Sequence, residues 1–179
     1  KNFPMKLELI QLMIEYHHAL SRRVWDSIEQ IDDQQFVLED DYSRGSIRNL
    51  MIHLVSTDRR WLAGLKELPE VGHLKFEDFP TRTSARQAFE IGARELDEYV
   101  HSLSEAELDA SPEGIPNTRW QALMHLINHG TDHRATVLQS LHELGAPTFE
   151  QDFYCDSLFP LYSDVLDHNK FLKRLEIAA

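Results

Sequence analysis

A single cysteine, Cys155, leaves this chain without an internal disulfide. Its fold must rest on a buried core, and a lone thiol of this kind is expected to be inert, partly buried and at home in a reducing compartment. Long apolar runs are missing as well. The strongest stretch, Leu7 to Ile14, is broken by Glu8 and Gln11, so no membrane partner is expected. The first residues, Lys1-Asn2-Phe3-Pro4, lack both an initiator Met and a signal-peptide pattern, and the expected location is cytoplasmic. Basic residues are scarce: 18 Lys and Arg face 30 Asp and Glu, a formal charge of −12. Arg22-Arg23 and Arg59-Arg60 are isolated pairs and not a stripe that tracks phosphates, so no nucleic-acid partner is expected.

Glycine and proline number only 7 each and fall mainly between periodic segments, and strand signals are absent. What remains is helical periodicity. Leu7, Ile10, Met13, His17, Leu20, Val24, Ile28 and Ile31 recur in steps of three and four, which predicts an amphipathic helix ending near Asp32-Asp33. Ser46 is placed to cap a second helix with the stripe Ile47, Leu50, Met51, Leu54, Trp61, Leu62 and Leu65. Ser84 with Gln87 reads as a capping box opening a third helix, and Ser104 with Glu107 predicts one further short turn. A fourth helix, capped by Asn117 or Thr118, runs from Trp120 to Leu144 and stops at Gly145 and Pro147. The expected fold is all-α: an antiparallel four-helix bundle in one domain over 1–179, with an additional C-terminal helical segment around 163–175. The tail 153–179 is expected to pack, because Leu158, Phe159, Leu161, Tyr162, Val165, Leu166, Phe171 and Leu172 are too apolar to hang free.

Ten histidines are present, and three of them, His125, His129 and His133, stand four residues apart on the predicted fourth helix. An i,i+4 pair projects from one helix face about one turn apart, which suits two imidazoles meeting one metal. All three cannot share it, since eight residues span roughly 12 Å of axis. Spacing leaves two pairs open, 125 with 129 or 129 with 133. The helical wheel favours the later pair: His133 lies on the border of the apolar arc and His129 just outside it, with His125 further towards the polar side. A third ligand must come from elsewhere, and His53 flanks the second helix's stripe in the same relation to the core. His17, His18, His73, His101, His142 and His168 are expected to be solvated or hydrogen-bonded without a ligand role.

The string Asn128-His129-Gly130-Thr131-Asp132-His133-Arg134-Ala135, closing at Leu144-Gly145, resembles the last helix of the DinB/YfiT-like family. The segment Ser46 to Leu54 with His53, followed by Asp58-Arg59-Arg60-Trp61-Leu62, is similar to that family's His-containing helix, and Tyr16 and Trp25 give the first helix the expected character. The resemblance runs from Met5 to Asp152. It implies a four-helix bundle that holds a metal, zinc, nickel or iron, on His53, His129 and His133, with His125 nearby. It also implies a homodimer, and a kinship with transferases and isomerases that use a low-molecular-weight thiol.

An open three-histidine metal lowers the pKa of a bound thiol or water. The expected activity is therefore metal-dependent attack of an activated thiol or water on a small electrophile, a thiol transferase or hydrolase; the alternative is a metal-binding stress-response or structural dimer without turnover. Asp58 lies in the middle of an apolar stripe and is expected to form a buried ion pair with Arg59, Arg60 or an arginine of another helix. Asp132 and Arg134 are expected to point away from the metal, and Asp152 to orient a ligand histidine.

Overall fold

Helix starts in this chain are set by side-chain oxygens that accept the otherwise unpaired backbone N–H groups. The computed structural model describes residues 6–39, 41 and 43–151. Helix α1 spans Lys6–Ile28 and α2 spans Asp33–Val37, the latter opened by a reciprocal box in which Asp32 accepts from the Gln35 N–H and Gln35 accepts from the Asp32 N–H. Ser46 Oγ accepts from the Asn49 N–H at 3.1 Å and opens α3, Ile47–Leu65. Helix α4, Arg82–Ser102, is capped by Thr81 with Ser84 as its box partner, one turn earlier than the Ser84/Gln87 reading. Arg82 decides this, because its N–H and Nε both bind Asp33 Oδ1, at 3.0 and 2.8 Å, and pin the first turn to α2. Ser104 and Glu107 open the short α5, Glu105–Asp109, as expected. Helix α6, Arg119–Glu143, follows Thr118, whose N–H is accepted by the Gln121 side chain at 3.0 Å; it ends where Gly145 takes φ 76°.

The four long helices α1, α3, α4 and α6 form the bundle, and there is no strand among the described residues. Residue pairs give their directions. Arg22–Glu90, His18–Asp97 and Glu15–His101 make α1 and α4 antiparallel, and His53–His133 with Trp61–His125 does the same for α3 and α6. The other two neighbours run parallel. Lys6 lies over Trp120 and His17 meets Arg134 between α1 and α6, while Val55 with Ala88 and Leu65 with Tyr99 link α3 to α4. The parallel pair α3/α4 is possible because the connection 66–81 can reach about 50 Å extended, more than the ~28 Å that α3 rises.

Two apolar cores result. One gathers Trp25, Ile28, Phe36, Met51, Ile52, Phe89 and Leu141; the other gathers Ile10, Ile14, Leu62, Leu96, Leu108, Leu123 and Leu126. Near the junction of these two sets α1, α3 and α6 carry polar side chains: His17 and Ser21, His53 and Asp58, His129, His133 and Arg134. The candidate site sits in that polar layer. The chain forms two compact units, Lys1–Phe149 and Glu150–Ala179. Only Glu150 and Gln151 of the second are described, so the expected helix at 163–175, Cys155 and Asp152 lie outside the described residues, and a single domain over 1–179 extends beyond them.

Candidate metal centre

Helix α3 carries His53 towards α6, and α6 carries His129 and His133 one turn apart on the face that meets α3. His129 Nε2 lies 3.2 Å from His53 Nε2 and 3.1 Å from His133 Nε2. One ring nitrogen from each of the three falls within 4.8 Å of the other two, and all three residues are half-buried. Ligand nitrogens held ~2.0–2.1 Å from a tetrahedral ion stand about 3.3 Å apart, so the trio has the separation a single ion needs. His125 is exposed and stays outside this group, its ring 5.7 Å from that of His129 and 5.3 Å from Trp61.

Electrostatics keep the three rings neutral, the form that ligates metal. Burial, then the Arg44 cation and the neighbouring imidazoles, hold His53 down at about 4. Burial and His133 do the same for His129, again to about 4, with Asp132 opposing. His133 is also lowered, chiefly by burial. The Arg44 guanidinium donates to His53 Nε2 at 3.2 Å, and Asn49 Nδ2 donates to the Arg44 carbonyl at 2.9 Å and steadies that loop. A metal on His53 Nε2 must displace this donor, since the lone pair serves one partner at a time. The Nδ1 atoms of His129 and His133 are shielded from solvent and have no hydrogen-bond partner among the described residues.

Behind the trio, on the α1 side of α6, lies a polar cluster not expected from spacing. Arg134, fully buried, donates to His17 Nδ1 at 2.9 Å and Ser21 Oγ at 3.2 Å through Nη1, and to Thr131 Oγ1 at 3.2 Å through Nη2. Burial lowers Arg134 to about 10 and, with Arg134 beside it, holds His17 well below its ordinary value. His17 therefore accepts as a neutral ring. Asp132 is exposed and Arg134 turns into the core, so neither approaches the trio's metal-facing nitrogens. The arginine on another helix expected beside Asp58 is Arg134, which acts on it through space; no direct ion pair of Asp58 occurs among the described residues.

Burial pushes the Asp58 carboxyl up to about 7 against the pull of Arg134. Between pH 4 and 7 the folded chain keeps a proton that the unfolded chain, near 3.8, has released. Folding stability therefore falls as pH rises through that window, and the penalty is complete above it. Asp58→Asn removes this decline, so the variant gains on the wild type by on the order of 1–2 kcal/mol between pH 5 and pH 8. Urea midpoints at the two pH values check this, and a constant difference between the proteins refutes it.

The family model described as the DinB family matches residues 5–157. A solved structure, that of a DinB-like protein from Bacillus cereus ATCC 10987, superposes with a TM-score of 0.50 at 20% identity, covering 82% of this chain and 90% of that one. Comparison with curated proteins returns no match. The family match spans the bundle, its closing helix and the His-bearing second long helix, and the chain belongs to the DinB family.

Proposed function

We propose that His53, His129 and His133 hold one divalent transition metal and leave a coordination position open for a thiol or water, making this a metal-dependent enzyme acting on a small electrophile. The observation that carries the reading is the convergence of three neutral, half-buried imidazole nitrogens from two helices. A metal bound there supplies Lewis acidity and lowers the pKa of a thiol or water in the open position. The chain's own residues orient that reactant: α3 and α6 hold the three ligands on rigid backbone, and the two apolar cores fix the helices on either side. A location in the cytoplasm and assembly as a homodimer belong to the same proposal.

The same trio also fits a second reading, a metal-binding protein without turnover, because three converging neutral imidazoles hold an ion whether or not a reaction follows. Neutral imidazoles suit zinc, nickel and iron alike, so the test loads each in turn. Untagged protein is analysed for metal content and then screened for transfer of several low-molecular-weight thiols to electrophilic substrates. The enzyme reading expects near-stoichiometric metal and an activity lost in a folded His133→Ala variant. Metal without any activity selects the second reading; protein that neither purifies with metal nor takes it up discards both.

A further inference from the structure

The face of α3 that carries His53 does not end at the metal centre. Residues 53, 57, 60 and 64 follow one another at helical steps of four, three and four, so His53, Thr57, Arg60 and Gly64 lie in one line along the helix. Across from it, His133, His129 and His125 form a matching line on the antiparallel α6, and the Trp61 ring meets His125 at 5.3 Å. Further along the line from His53, Ile115 lies over Gly64; a methyl group at Gly64 would come within 2.9 Å of Ile115 Cδ1. Beside this contact Thr57, Arg60, Trp61 and Ile115 wall an open cavity of about 250 Å³.

Arg60 supplies the one charge on that wall among the described residues. Its Nη1 meets His73 Nε2 at 3.0 Å, and its Nη2 binds Glu70 at 3.2 Å, a carboxylate whose side chain is 85% exposed and exchanges freely with water. Its Nε is buried and has no hydrogen-bond partner among the described residues. The Arg60 side chain is 37% exposed, so its guanidinium can take a second carboxylate in place of, or beside, the solvated Glu70. Trp61 offers an apolar ring beside it. A single cation next to Glu70, in a chain of charge −12, suits a monoanion better than a phosphate.

We propose that this cavity seats the carboxylate end of a small elongated substrate or co-substrate, whose reactive end reaches the three-histidine centre. This rests on the metal reading above. Seven residues separate His53 from Arg60, so the two ends of the bound molecule are about 10 Å apart. Arg60 anchors the carboxylate, Trp61 lies against the body of the chain, and Thr57, one turn from His53, borders the path between them.

The test uses the full chain, metal-free and zinc-loaded, with 4-phenylbutyrate and its neutral amide as probes in calorimetric titration. The acid is expected to bind both forms at least ~10-fold tighter than the amide, and Arg60→Gln to erase that preference. Equal binding of acid and amide, no binding of either, or a preference that survives in Arg60→Gln overturns the proposal. The acid–amide comparison on the wild type holds even where the variant misfolds. Reach to the metal is read in cobalt-loaded protein: the thiolate-to-cobalt band of 8-mercaptooctanoate should saturate at ~10-fold lower concentration than that of 8-mercaptooctanol, while 3-mercaptopropionate, too short to span, gains nothing over 3-mercaptopropanol. Equal saturation of the two long thiols overturns the link between seat and metal. Absence of any band, with the acid preference intact in metal-free protein, sinks the metal reading and leaves the anion seat standing.

Discussion

Gly130→Ala is expected to lower the unfolding free energy by about 3 kcal/mol, although it adds only one methyl group to the middle of a helix. The new carbon would overlap His17 Cε1 and stand 2.8 Å from His17 Nδ1 and 2.9 Å from Arg134 Nη1. Neither side chain has room to retreat: His17 is 3% exposed and Arg134 not at all. Overpacking costs roughly 1–3 kcal/mol, and a displaced Arg134 donor adds ~1–3 kcal/mol for the buried group it leaves unpaired. Against this stands the ~1 kcal/mol by which alanine surpasses glycine in a helix interior. The internal control is Gly92→Ala in α4, where a methyl group meets nothing within 4 Å. That variant should be more stable than wild type by ~0.5–1 kcal/mol. Urea denaturation of both, beside the double variant His17→Ala/Gly130→Ala, separates sterics from propensity: removing the imidazole should recover part of the loss, a coupling expected of residues in contact. If the two glycine variants behave alike, the close approach of α1 to α6 at this point is wrong.

That approach marks the boundary of what the sequence discloses. Helix existence was legible because the apolar stripes are long, and Ser46, Ser104 and Thr118 stand where caps are needed. The start of α4 was misplaced because Thr81 and Ser84 are both plausible caps, and the choice is made by Asp33 gripping Arg82 from a distant segment. Helix α2 was missed since Asp32-Asp33 reads as a stop, whereas Asp32 caps a turn that buries Phe36 against Trp25 at 6.1 Å. Directions were not legible: the connections 29–46, 66–81 and 103–118 are all long enough to allow either sense, and the residue pairs between assembled helices decide it. In the site, the i,i+4 spacing and the flank position of His53 were readable. His17 with Arg134, 117 residues apart, was not, nor was the wall that Ile115 contributes from a loop. Such pairings exist only once the helices are assembled. A glycine inside a periodic helix does not by itself disclose such contact, since Gly130 meets His17 while Gly92 meets nothing within 4 Å.

Removing His129 should cost the chain its metal, with affinity falling ~100-fold or more, and His133→Ala should do nearly the same, while His125→Ala changes affinity less than ~3-fold. Sequence spacing cannot predict this asymmetry, because His125 stands to His129 as His129 stands to His133. Geometry separates them. His129 Nε2 is the hub of the trio, 3.2 Å from His53 and 3.1 Å from His133, so its loss leaves two imidazoles on different helices with no nitrogen between them. The His125 ring leans instead on Trp61, outside the group. Competition against a zinc-sensitive chromogenic chelator reads all three variants on one scale, with circular dichroism to show that the bundle survives. Survival is expected, since His129 and His133 are half-buried and the cores on either side keep their own contacts. The pH profile of the same titration supplies an independent check. Because burial and neighbouring positive charge hold His53 and His129 near 4, protons compete only weakly with the metal for these imidazoles, and affinity should fall less steeply between pH 7 and 5 than for a site of ordinary histidines near 6.5. Zinc affinity dropping as steeply over that range as free imidazoles require, or retained in His129→Ala, would show that the ion binds somewhere other than at these three residues.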